Sequence, residues 1–229
     1  MKKVRAIIIT VFICSMLFGP GSIFHADPKK HDIGSAGAST ITGSIGGSVI
    51  GSSSPLSDLV VTVNFGELTP ANTNSVIKVV VPVAIRSTNE YQVTVSVTGT
   101  TGTDPNSVQL SDIGFGIQNF RSLGANATPC GANSVINNFF NNDPTTSVTT
   151  NPVTGRAEYT SSLANVGASA LLINGPILSI FQGIGNWRRD PDNGRAFDVI
   201  LAIKPQWFEP GTFNLTLTFR MSTGPNFPC

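Results

Sequence analysis

Histidine is almost missing from this chain. Of 229 residues only His25 and His31 carry an imidazole, and none follows His31. With the folded region taken to start near Leu56, no nucleophile–histidine–acid arrangement can be assembled inside it. Carboxylates are sparse as well. Glu67, Glu90, Glu158 and Glu209 stand singly, so the pair of acids that flanks a glycosidic bond in a hydrolase is not signalled. Charged residues are 12% of the chain and the formal net charge is +1. Lys2, Lys3 and Arg5 sit at the extreme N-terminus, which leaves the remainder slightly acidic, with no basic footprint for nucleic acid. Cysteine occurs three times, too seldom and too far from histidine for a zinc site. No stretch holds a helical period and no internal repeat is visible. These absences lead to the expectation of a chain that is not an enzyme and uses no cofactor.

What is present first is an export signal. MKKVR is basic, and AIIITVFICSMLFG is an apolar run of 14 residues, the anatomy of a secretory signal peptide and shorter than the ~20 residues of a membrane span. Residues 1–26 are read as the signal, with the cut somewhere in Gly19–Ala26. The mature protein is expected to be secreted or held at the cell surface, with no membrane span. Removing the signal leaves Cys130 and Cys229. An even pair in an exported chain favours a disulfide, which would close a loop of about 100 residues and stabilise by roughly 4–5 kcal/mol. Two free thiols, or a bond between chains, are the alternatives.

Residues 27–55 are rich in Gly and Ser with scattered Ile and Val, and are read as a flexible tether. Its Ile41, Ile45, Val49 and Ile50 leave open a strand lent to a partner sheet. From residue 56 to 229 the patterns alternate. Leu59, Val61, Val63 and Phe65 share a face, as do Ile77, Val79, Val81, Val83 and Ile85. Tyr91, Val93, Val95 and Val97 follow, then Phe197, Val199, Leu201 and Ile203, then Phe213, Leu215, Leu217, Phe219 and Met221. One buried and one wet face per strand predicts an all-β, antiparallel, Ig-like or Greek-key β-sandwich of about eight or nine strands. Pro82 places its strand at an edge or breaks it. Asp112 marks a bulge, Asn174-Gly175 a tight turn, and Val135–Phe140 a short helix within long loops. An outer-membrane barrel shares the alternation, but two Tyr and two Trp make no aromatic girdle.

Two clusters carry the remaining chemistry. Trp187, Trp207 and Phe208 form a candidate aromatic platform for a sugar ring, with Arg188 and Arg189 as donors; filling the core is the competing role for these rings. Asp190-Pro191-Asp192-Asn193-Gly194 has oxygens at alternate positions, as a calcium loop does. Asp190 and Asp192 are therefore candidate metal ligands, although the glycine comes one place early and the twelfth position is Leu201. Asp-Pro and Asn-Gly also make turns unaided.

Three segments together, VNFGELTP, STNEYQVTVSVTG and PGTFNLTLTF, resemble secreted bacterial β-sandwich proteins of the fimbrial and spore-coat-U type. The resemblance implies a module that assembles on the cell surface, often by lending a strand, and no catalytic residues. Those families commonly place a cysteine pair near the first strands, whereas here the cysteines are 130 and 229. The expected function is that of an exported, non-catalytic surface protein with a structural or adhesive role. The alternative is an extracellular carbohydrate-binding module. The partners would be copies of itself, other surface proteins, or glycans.

Overall fold

The computed structural model describes residues 31–54, 58–68, 76–87, 89–99, 104, 106–123, 134–178, 194–206, 208 and 212–226. Among them are thirteen strands and two short 3₁₀ turns. The fold is an all-β sandwich of two antiparallel sheets. One sheet runs in the order β1 (His31–Ser35), β5 (Ile77–Ser87), β12 (Gly194–Ile203), β7 (Ile113–Leu123), with β2 (Thr40–Thr42) also paired to β5. The other runs β3 (Ser48–Ser54), β4 (Asp58–Glu67), β13 (Thr212–Thr223), β6 (Tyr91–Gly99), β11 (Ala170–Gly175), β8 (Val135–Ile136). A separate small hairpin joins β9 (Thr149–Thr150) to β10 (Ala157–Glu158). The steps from β4 to β5, β5 to β6, β6 to β7, β11 to β12 and β12 to β13 each change sheet.

The alternating residues of β4, β5, β6, β12 and β13 meet in one apolar cluster between the sheets. Phe65, Tyr91, Phe115, Phe197 and Phe219 are its largest fully buried members. The Tyr91 hydroxyl finds Ser134 Oγ at 2.7 Å, and burial pushes the phenol up to about 12, with Ser134 and Arg195 opposing the shift.

The predicted tether is corrected, and the fold reaches back to at least His31. β1 pairs with β5, β2 with β5 and β3 with β4, all antiparallel and within the chain. Ile33 is 1% exposed, and Ile41 and Val49 pack against the core, while Ile45 and Ile50 face outward. Gly/Ser composition makes such a segment unable to order alone. Here it adds to sheet edges that other residues have already built, and those edges satisfy its backbone groups. The strand count rises accordingly above eight or nine.

Pro82 sits inside β5, which neither ends nor lies at an edge. Its carbonyl accepts the Ala36 N–H at 2.9 Å, so its missing donor also points to the β1/β2 side. That neighbour is interrupted between Ser35 and Thr40, and the absent hydrogen bond falls at the gap. Around Asp112 the chain makes a 3₁₀ turn, Leu110–Asp112, in place of a bulge. The ladder irregularity lies further on, where Asn119 has φ 54° and the β7–β12 register shifts between Ala196 and Asp198. Asn174-Gly175 makes no turn: both pair within β11, and a Cβ at Gly175 would meet Ser134 at 2.8–3.1 Å. The glycine serves a close approach there. Val135–Phe140 is a two-residue strand and a turn, with no helix.

A third, irregular layer decides where the surface chemistry lies. Phe115 N–H donates to the Ser161 carbonyl at 3.0 Å, and Ile117 N–H to the Phe140 carbonyl at 2.8 Å. The segment from Asn137 to Val166 thus covers the outer edge of β7. Gly114 and Gly116 admit it: an added Cβ at Gly116 would lie 2.1 Å from the Asn142 carbonyl oxygen, and one at Gly114 would lie 2.4 Å from the Tyr159 ring. On the strand beside them, Ile200 and Ala202 are buried although they alternate with core-facing Leu201.

Candidate functional site

Eight residues were singled out from sequence as sites: Cys130, Cys229, Trp187, Arg188, Arg189, Asp190, Asp192 and Trp207. All lie outside the described residues, as does the signal segment 1–26. Two of these positions have described neighbours. Gly194, the last residue of the Asp190–Gly194 motif, opens β12 opposite Leu123. Gln206 and Phe208, on either side of Trp207, line a cleft described below. Among the described residues no group of three His, Cys, Asp or Glu side chains is placed to hold a metal ion.

The absence of histidine from the fold is corrected along with the tether. His31 is buried in β1, with Nδ1 at 2.8 Å from Ser87 Oγ and Nε2 at 3.1 Å from Thr223 Oγ1. The Ser87 hydroxyl donates to the Asn89 carbonyl at 2.7 Å, so it accepts from Nδ1–H of the imidazole. The ring therefore ties β1 of one sheet to β13 of the other.

The most developed polar cluster belongs to the covering layer. Asp112 closes the 3₁₀ turn before β7 and is 1% exposed. Its Oδ2 accepts from Arg156 Nη1 at 2.5 Å and from the Gln109 N–H at 2.8 Å. Burial pushes the Asp112 carboxyl above the ordinary value, with the Gln109 N–H and then Arg156 opposing it. Arg156 also donates to the Ser107 carbonyl at 3.3 Å and lies 6.0 Å from the centre of the Phe208 ring. The β9–β10 hairpin carries this arginine. Asn151 Oδ1 accepts the N–H groups of Val153 and Thr154 at 2.9 and 3.0 Å, and Gly155 turns the chain with φ +70°. Asn151 Nδ2 then donates to Glu158 Oε1 at 2.6 Å across the hairpin.

Tyr159 seats the hairpin on the sheet. Its Oη accepts the Lys204 N–H at 2.9 Å, and burial raises the phenol well above its usual range, with the nearby Asp112 charge adding to the rise. Lys78 of β5 donates to Asp143 at 2.8 Å. Burial alone would raise the Asp143 carboxyl; hydrogen bonds from Lys78 and Thr145 outweigh it and hold the group below the ordinary value.

Two clefts flank Arg156. The larger, about 430 Å³, lies between the hairpin and the Ser111–Asp112 turn, and includes Glu158, Tyr159 and Ser162. The smaller, about 190 Å³, lies between the hairpin and the two residues Gln206 and Phe208. Thr154 and Arg156 belong to both. Gln206 Nε2 is buried, with no hydrogen-bond partner among the described residues. Sequence reading missed this site because Asp112 and Arg156 are 44 positions apart. The available signal was Asp112 itself, an acid set against the apolar run that begins at Ile113 in a charge-poor chain.

Carboxylates, hydroxyls and amides line the two clefts beside Arg156. Comparison of the chain with protein-family models, with curated proteins and with solved structures gave no match in any of the three.

Proposed function

We propose that the chain is an exported, non-catalytic surface protein with a structural or adhesive role, assembling through an edge of its second sheet. The observation that carries this reading is the state of the sheet edges. The β7 edge is covered by Asn137–Val166, and past the cover it is irregular at Asn119 and charged at Arg121. The β1/β2 edge is interrupted between Ser35 and Thr40, and β8 has only two residues. Among the described residues β3 has none of these protections. Among the described residues it pairs only with β4, in unbroken register from Ser48 to Ser54. Its sequence SVIGSSS contains no charge and no proline. A long, regular, uncharged edge is a template for another strand.

The signal-like N-terminus supports export and a secreted or surface location. A Cys130–Cys229 disulfide would suit that compartment, and the resemblance to fimbrial-type sandwiches supports assembly. The mode differs from the sequence expectation. Residues 31–54 already complete this chain's own sheets, so a deletion of 33–54 would remove strands from both and would not isolate assembly. The test is light scattering on residues 27–229, non-reduced, over a range of concentrations. Multimers that grow with concentration are the expected result; a monomer throughout would remove the assembly reading.

A second reading, binding of a saccharide, is favoured by the polar clefts beside Arg156.

A further inference from the structure

We propose that the two opposite edges of the second sheet bind each other, so that β3 of one copy pairs with β8 of a second copy and the sheet continues head-to-tail. The inference rests on the assembly reading above and names the surface that the open β3 edge takes as its partner.

The exposed apolar side chains come first. Six large hydrophobic residues are exposed among the described residues, and five of them lie at the two edges of this one sheet. Ile45 and Ile50 stand on the β3 side; Val135, Phe139 and Leu171 stand on the β8 side. Asn137 gathers the second group: its Nδ2 donates to the Leu171 carbonyl at 2.9 Å, and its Oδ1 accepts the Phe139 N–H at 3.1 Å. Exposed apolar groups collected at one place mark association surfaces. Residues 34–57 and 134–142 contain no Asp, Glu, Lys or Arg, so neither edge carries a charge that would repel the other.

Strand direction and register then fit. The sheet has six strands, each antiparallel to the next, so β8 runs antiparallel to β3. A copy displaced sideways along the sheet, without being turned over, therefore sets its β8 antiparallel to the first copy's β3. Val49 and Ile136 pack toward the core on their own strands, while Ile50 and Val135 are exposed on the outer face. With Val49 opposite Ile136 in antiparallel register, Ile50 falls opposite Val135. Both apolar pairs then meet on matching faces, as cross-strand neighbours do within a sheet. A parallel alignment of Val49 with Ile136 would put Ile50 against Asn137 instead. The antiparallel alignment also leads Ile45 toward Phe139.

The two residues of β8 limit the shared ladder to a few hydrogen bonds, and the apolar side chains around them supply the rest of the contact. Self-pairing of β3 about a two-fold axis would close a dimer and leave Val135, Phe139 and Leu171 exposed. The β3–β8 contact is heterologous, so each added copy brings a new open edge and growth does not stop at two.

The test is analytical ultracentrifugation of residues 27–229, non-reduced, with Ile50→Lys and Val135→Lys studied singly and mixed. The unsubstituted protein should form species larger than a dimer that grow with concentration. Each variant alone should be monomeric, because each blocks one of the two edges. Equimolar mixing should restore a dimer and nothing larger, since one variant keeps β8 intact and the other keeps β3. Both positions are exposed, and thermal midpoints should be unchanged. Leu171→Lys, beside β8 and outside the ladder, is the second probe of that edge and should shift association to higher concentration. Association that survives both Val135→Lys and Leu171→Lys, or no dimer on mixing the two folded variants, would overturn the β3–β8 pairing. If Ile50→Lys still abolished association in that case, assembly through β3 would stand with a different partner surface. A monomer at every concentration would remove the pairing together with the assembly reading.

Discussion

The outer edges of β7 and β3 have the same backbone chemistry and opposite treatments. β7 is covered by a polar, irregular segment that hydrogen-bonds to its Phe115 and Ile117 amides. Two of the four ion pairs among the described residues hold that cover: Arg156 to Asp112 and Lys78 to Asp143. β3 carries no such cover among the described residues, and at its middle Ile50 is 66% exposed. The difference teaches that this chain has the means to close an edge and, among the described residues, uses them at the first sheet and not at β3. The covered side also carries the clefts, so the open edge and the clefts are separate features.

The comparison can be broken hardest at the cover. Arg156→Ala would leave Asp112 buried without its cation, which costs about 3–5 kcal/mol for such pairs; the partial exposure of Arg156 puts the expectation near 3. Denaturant unfolding would show the loss, and amide exchange at Phe115 and Ile117 should speed up. Gly116→Ala comes next. Its new methyl would collide with the Asn142 carbonyl, and crowding of that kind costs about 1–3 kcal/mol. At the other edge, Ile50→Lys should leave stability within about 0.5 kcal/mol, as for most surface changes, yet abolish concentration-dependent association in light scattering. Association that persists in the variant would separate assembly from β3.

The smallest effect sharpens the electrostatics of the cover. Carboxyl-carbon NMR titration should place Asp112 above the ordinary value of 3.8 and Asp143 below it. The signs for stability are opposite. The raised Asp112 contributes stability below its unfolded pKa, lost as pH rises through the folded one. The lowered Asp143 contributes stability above its unfolded pKa, lost as pH falls through the folded one. Inflections in the reverse order would contradict the burial and pairing assigned to them.

The sheets were legible because period-2 patterning is a direct image of a half-buried strand. Leu59 to Phe65, Ile77 to Ile85 and Phe213 to Met221 all lie in the core on the phase their alternation predicts. Residues 31–54 were not legible, because their strands exist through backbone pairing with edges that β4 and β5 provide, and composition does not record a neighbour. Asn174-Gly175 shows the same limit. A dipeptide that turns in isolation stays extended between Tyr91 and Ser134, where tertiary pairing overrides local preference. The site was hidden for a related reason. Asp112, Arg156 and Gln206 come from three distant stretches, and only the folding of the hairpin over β7 brings them to two neighbouring clefts that share Arg156.

The most direct test of the open edge is hydrogen–deuterium exchange of residues 27–229 at low and high protein concentration, followed in the Ser48–Ser54 and Ile113–Leu123 peptides. The account predicts that the β3 amides become protected as concentration rises while the β7 amides do not change. Multimers that form without any change in β3 protection would contradict it.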